Sequence, residues 1–125
     1  MNVVVKPLVG PSSILLALMA SGMNGQQFQF VGYLPIDTQP KLLKIRELEE
    51  ESARKKTTQI FIETPYRNNQ LLEAIIKTCK PSTQLCIACD LTSKTEFIKT
   101  KSIAEWKNEK VDLHKKPVIF LLLAA

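Results

Sequence analysis

Glycine is scarce in this chain, with four in 125 residues at positions 10, 22, 25 and 32. Neither G-x-G-x-x-G nor G-x-x-x-x-G-K-[ST] occurs, which counts against a self-contained phosphate-cradling nucleotide site. Histidine is scarcer still: His114 stands alone in a Leu-His-Lys-Lys stretch that reads as a solvated loop, and no Ser, Cys and His constellation of recognisable spacing surrounds it. Long apolar runs are missing. The longest, Val118 to Ala125, falls well short of the ~18 residues a membrane-spanning helix needs, so no transmembrane segment is expected. The first apolar stretch is split by Lys6, Pro7, Gly10 and Pro11 rather than preceded by a basic region, unlike a signal peptide. The three cysteines of a chain read this way imply reduced thiols in the cytoplasm. Cys86 and Cys89 form a C-x-x-C, but three residues apart in a strand they project to opposite faces, and only Cys79 and His114 remain to complete a site. No metal site is expected.

What is present describes an ordinary globular domain: 45% hydrophobic and 23% charged residues, with a mean hydropathy of −0.02, in a length that suits one domain. The net charge is +5, and residues 1–39 hold only Lys6 and Asp37. The excess therefore lies in residues 40–125, where a basic face compatible with RNA or another polyanion is expected.

Hydrophobic periodicity orders the elements. Val3–Val5 reads as a short buried strand ended by Pro7. Ser12 and Ser13 then cap a helix over 13–21 that is apolar nearly all round and ends at Gly22; nothing else in the first 27 residues can cover it. Phe28, Phe30 and Val31 form a strand stopped by Gly32 and Pro35. A helix follows from Pro40 to about Arg54, with Leu42, Leu43, Ile45 and Leu48 on one face and Glu49, Glu50 and Glu51 on a solvated one. Residues 57–62 are β-rich. Asn68 or Asn69 caps a helix striped by Leu71, Leu72, Ile75, Ile76 and Cys79. Strands are expected over 84–89, 97–100 and 118–123, and Ser102 with Glu105 is a capping box opening a short helix through Trp106. The fold class is α/β: a mixed β-sheet with helices packed on it.

Two segments invite a chemical reading. Gly10-Pro11-Ser12-Ser13 joins a strand to a helix N-terminus, offering backbone N–H groups and two hydroxyls to a small polar ligand, or serving only as a turn. Glu63-Thr64-Pro65-Tyr66-Arg67 places a carboxylate, an aromatic ring and a guanidinium after a strand, where they orient a substrate or where Arg67 pairs with Glu63. Asp90 and Glu96 flank a strand pair and could meet in space.

With these segments in view, the chain resembles the tetrapyrrole methylase family, and most closely its ribosomal RNA small-subunit methyltransferase I branch. Residues 5–22 are similar to the family's P-L-P-G-P-S-[AS] loop and the small-residue helix ending in S-G. Phe30-Val31-Gly32-Tyr33-Leu34-Pro35 is similar to F-x-G-F-L-P, Glu63-Thr64-Pro65-Tyr66-Arg67 to E-S-P-H-R, and Asp90-Leu91-Thr92-Ser93-Lys94 to E-L-T-K. Val9, Tyr66 and Asp90 stand where the family usually has proline, histidine and glutamate.

The resemblance covers only the family's second half and implies a division into residues 1–27, the last strand and helix of an N-terminal domain, and residues 28–125, a C-terminal α/β domain. It implies S-adenosyl-L-methionine as cofactor, bound in a cleft between two domains, with Ser12, Ser13, Glu63, Asp90, Leu91, Pro117 and Val118 at cofactor-contact positions. Tyr66 and Arg67 fall at substrate-binding positions; no catalytic base is evident. A cytoplasmic homodimer acting on ribosomal RNA is implied, with a porphyrin or corrin as the alternative methyl acceptor. Because the other wall of the cleft is missing, little or no turnover is expected from residues 1–125 alone. A reading from another class is a non-catalytic basic binding or dimerisation module, motivated by the uncovered helix 13–21.

Overall fold

The computed structural model describes residues 14, 17, 18, 20–23, 27–90 and 94–124. A five-stranded sheet runs in the order β1-β2-β5-β3-β4, built from β1 (Phe28–Tyr33), β2 (Thr58–Ile62), β3 (Gln84–Cys89), β4 (Phe97–Ser102) and β5 (Val118–Leu123). β1 and β2 are parallel and are joined by helix α1 (Thr38–Lys55), the kind of crossover that parallel neighbours require. The β2–β5, β5–β3 and β3–β4 pairs are antiparallel. A 3₁₀ turn (Pro65–Arg67) leads into α2 (Asn68–Thr78), and α3 (Ile103–Trp106) follows β4.

The uninterrupted apolar run of β5 is explained by its central place, since both of its faces are covered. Val118, Phe120 and Leu122 point into a cluster with Ile45 and Leu48 of α1, Leu71 and Ile75 of α2, and Ile103 and Trp106 of α3. Phe120 stacks on Phe61 of the neighbouring strand, ring centroids 5.8 Å apart. Ile119 and Leu121 point the other way, into a cluster with Ile60, Ile62, Cys86 and Ala88. Trp106 is anchored by its indole N–H, which donates to the Leu85 carbonyl at 2.8 Å.

The second cluster corrects the expectation that helix 13–21 lies uncovered. Ala17, Leu18 and Met23 are buried in it, with Ile14 packed alongside. The sheet itself is the cover, and its strands all lie beyond residue 27. Thr100 of β4 donates its hydroxyl to the Ser21 carbonyl at 2.8 Å, and Gly22 (φ 75°) turns the chain out of the helix as expected.

Three further expectations are revised. β1 runs through Gly32 instead of stopping there, because a bulge between Phe30 and Gly32 absorbs that residue's positive φ of 85°. Neither Asn68 nor Asn69 caps α2, whose N-terminus has no side-chain cap; both amides reach across to residues 112–116 instead. Glu49 is not on a solvated face. It is buried and accepts hydrogen bonds from the Lys80 N–H at 2.7 Å and the Thr83 hydroxyl at 2.5 Å. The capping box forms as expected, Ser102 and Glu105 exchanging bonds at 3.2 and 2.9 Å. Among the described residues no helix is long and apolar enough to cross a membrane.

Candidate functional site

Strand direction brings the predicted residues to one end of the sheet. β2 and β3 finish where β5 begins, since Ile62 pairs with Ile119 and Cys89 with Val118. Glu63 and Asp90 therefore leave their strands on either side of Pro117 and Val118. The Asp90 N–H donates to the Pro117 carbonyl at 3.0 Å. Asp90 adopts a left-handed backbone (φ 52°), a conformation that aspartate tolerates better than most residues, and accepts the Thr95 hydroxyl at 2.9 Å. Ser12, Ser13 and Leu91 lie outside the described residues.

Glu63 is buried, and its partner is Lys41 of α1 at 3.8 Å rather than Arg67. One of its oxygens accepts the Thr64 N–H at 2.7 Å. The other, Oε2, faces the Lys41 ammonium at 3.8 Å and has no donor within hydrogen-bond distance. A buried carboxylate oxygen left without a donor is unfavourable unless something else supplies one. The Asn68 amide nitrogen donates to the Leu113 and Lys116 carbonyls at 3.1 and 2.6 Å. Asn69 accepts from the Leu113 N–H at 2.8 Å and donates to Asp112 at 3.0 Å. These bonds hold the 112–117 segment that leads into β5, together with a bond from the Lys115 N–H to the Pro65 carbonyl at 3.0 Å.

Tyr66 and Arg67 project from the 3₁₀ turn at the same end of the sheet, Tyr66 with 67% of its surface exposed. His114 meets the Tyr66 ring edge-on, centroids 5.7 Å apart, and the Lys115 ammonium lies 5.9 Å from the ring centre. Sequence reasoning missed His114 and Lys115, because only the fold shows that residues 112–117 return beside residues 65–69.

Burial disfavours thiol chemistry at Cys89. Burial, with the Asp90 carboxylate second, pushes the Cys89 thiol up to about 11, so it is protonated at neutral pH and a poor nucleophile. Cys86 and Cys89 face opposite sides of the sheet, as their spacing predicts. A groove of about 840 Å³ runs along α2, lined by both signs of charge, including Glu73, Lys77, Glu109 and Lys110, and reaches Asn69 and Asp112 at its edge.

No family model matches the chain. It is 30% identical over 126 aligned positions to the ribosomal RNA small subunit methyltransferase I of Buchnera aphidicola subsp. Schizaphis graminum, covering 98% of this chain and 43% of that protein. The Vibrio cholerae protein of the same name is 32% identical, covering 98% and 42%, and that of Bacillus subtilis 35%, covering 84% and 35%. The chain thus spans less than half the length of these relatives and matches their C-terminal part. In fold it is similar to the methyltransferase CobJ, with a TM-score of 0.57 at 17% identity over 90% of this chain and 47% of that one. By its sequence relatives along nearly its whole length, and by a fold in agreement, the chain belongs to the tetrapyrrole methylase family, on the ribosomal RNA small-subunit methyltransferase I side.

Proposed function

We propose that these residues form the C-terminal part of an S-adenosylmethionine-dependent methyltransferase that acts on ribosomal RNA. In this division residues 1–27 end a preceding domain and residues 28–125 form the next. The supporting observation is the convergence of Glu63, Asp90, Pro117 and Val118 at one end of the sheet, from three strands and up to 55 residues apart in sequence. The residues fit the cofactor's chemistry. The buried Glu63 Oε2 has the Lys41 ammonium at 3.8 Å but no donor within hydrogen-bond distance, and a ribose hydroxyl would supply one. The bonds from Asn68 and Asp90 hold the backbone of residues 116–118 in place for the adenine. Bound there, S-adenosylmethionine supplies an electrophilic methyl group, and the protein's part is alignment.

Ser12, Ser13 and Leu91 complete the cofactor contacts in this proposal, and Tyr66 and Arg67 face the RNA. Ribosomal RNA as substrate places the work in the cytoplasm. The exposed Phe28 and Phe30 on the free edge of β1 support a homodimer.

A chimera tests the reading: the matched part of the Schizaphis-associated Buchnera relative is replaced by these 125 residues and assayed for transfer of labelled methyl to small-subunit RNA. Transfer is expected from the chimera, and little or none from the 125 residues alone. A folded chimera that binds S-adenosylmethionine but labels a porphyrin instead of RNA would overturn the substrate assignment.

A further inference from the structure

We propose that Tyr66, His114 and Lys115 form a stacking platform for an unpaired nucleotide of RNA, with Arg67 beside it to meet a phosphate; the proposal rests on the RNA reading above. An exposed aromatic ring by itself carries no meaning. Here the ring is flanked by His114 at 5.7 Å and Lys115 at 5.9 Å, and the loops that carry the three side chains are tied together. The Lys115 N–H bonds to the Pro65 carbonyl, Asn68 and Asn69 hold residues 112–116, and Lys115 is kept in a left-handed conformation at φ 64°. Such conformations persist only where the surroundings enforce them. The result is an outward-facing ring on a turn tied to residues 112–116.

The charges also favour a nucleotide. Asp112 is engaged by Asn69 and by the His114 N–H, and Glu63 by Lys41 and the Thr64 N–H. Among the described residues neither Arg67 nor Lys115 makes an ion pair. Cations without an ion-pair partner beside an open aromatic face suit a base that stacks while its phosphate is held. A duplex hides its base faces in its own stack, so the platform selects an unpaired nucleotide. An acidic peptide would use the cations and leave the ring idle.

The test is fluorescence anisotropy of a labelled single-stranded oligoribonucleotide titrated with the 125-residue chain at several salt concentrations. Tyr66→Ala is expected to weaken binding about 10-fold, whereas Tyr66→Phe, which keeps the ring, stays within about twofold. Lys115→Gln should lower the slope of log affinity against log salt by about one. Lys80→Gln removes the same charge from the opposite end of the sheet and should leave the Tyr66 dependence intact. Tyr66→Leu serves as a second ring deletion, with circular dichroism reporting the fold of each variant.

If the wild-type chain binds RNA and the folded Tyr66→Ala and Tyr66→Leu variants bind equally well, the platform is wrong while the RNA reading stands. Competition by polyglutamate as strong as that by RNA would likewise overturn it, by showing that charge alone is read. Failure of the wild-type chain to bind any RNA would overturn the platform, and failure of the folded chimera to bind RNA would overturn the RNA reading with it.

Discussion

Asn68 and Lys116 are 48 residues apart in sequence, yet the Asn68 amide nitrogen lies 2.6 Å from the Lys116 carbonyl. The same nitrogen also donates to Leu113 at 3.1 Å, so one buried side chain ties the start of α2 to the approach of β5. Asn68→Ala leaves two carbonyls without their donor and should destabilise the fold by about 2–3 kcal/mol. The loss is read by urea unfolding, and in the chimera proposed above the same change is expected to weaken S-adenosylmethionine binding if the proposed cofactor site is right. An unchanged urea midpoint would show that the tie contributes nothing.

Glu49 plays a comparable part at the opposite end of the sheet, where its carboxylate receives Lys80 and Thr83. Glu49→Ala strands a buried hydroxyl and a backbone N–H, and a loss of about 2–3 kcal/mol is expected. Thr83→Val removes only one of the two donors and should cost less. Equal losses for the two variants would contradict the assigned geometry.

Burial holds the cysteines as thiols. Desolvation, then the neighbouring Glu49 carboxylate, raises Cys79 from 9.0 to about 12, and Cys89 is raised to about 11. The unfolded chain therefore sheds these protons at lower pH than the folded one, so stability is full below about pH 9 and falls as pH rises toward 11–12. A plot of unfolding midpoint against pH should bend downward in that window, and replacing Cys79 and Cys89 by Ala should flatten it. In the native state at pH 8 the buried Cys79, Cys86 and Cys89 should resist a thiol reagent that labels all three in denaturant.

The Ser102–Glu105 capping box offers a milder change. Ser102→Ala removes the side-chain acceptor for the Glu105 N–H and should lower stability by about 1 kcal/mol. Ser102→Asp should restore most of it, because a carboxylate accepts the same bond at a helix N-terminus. Thermal unfolding monitored by Trp106 fluorescence reads both variants.

Much of the architecture was legible in the residues because it depends on local patterns. The stripe Leu71, Leu72, Ile75 marks α2 at helical spacing, and the run 118–123 marks a strand covered on both faces, as β5 is. The capping box was equally local. The missed features involve partners distant in sequence. Asn68 looks like a helix cap until residues 113–116 arrive beside it, and Glu49 looks solvated until Lys80 and Thr83 close over it. Helix 13–21 looked bare because its cover is formed by β2, β3 and β5.

The sequence by itself determined the element order over residues 28–123, most of the apolar faces, though Leu43 is exposed rather than inward, and, through its ordered motifs, the family, since each depends on residue type at short spacing. Only the tertiary structure decided that Glu63, Asp90 and Pro117 share one end of the sheet, and that His114 and Lys115 flank Tyr66. Those neighbours follow from strand order and direction, and the pairing of β5 between β2 and β3 is set by the summed burial of both sheet faces rather than by any local stretch of residues.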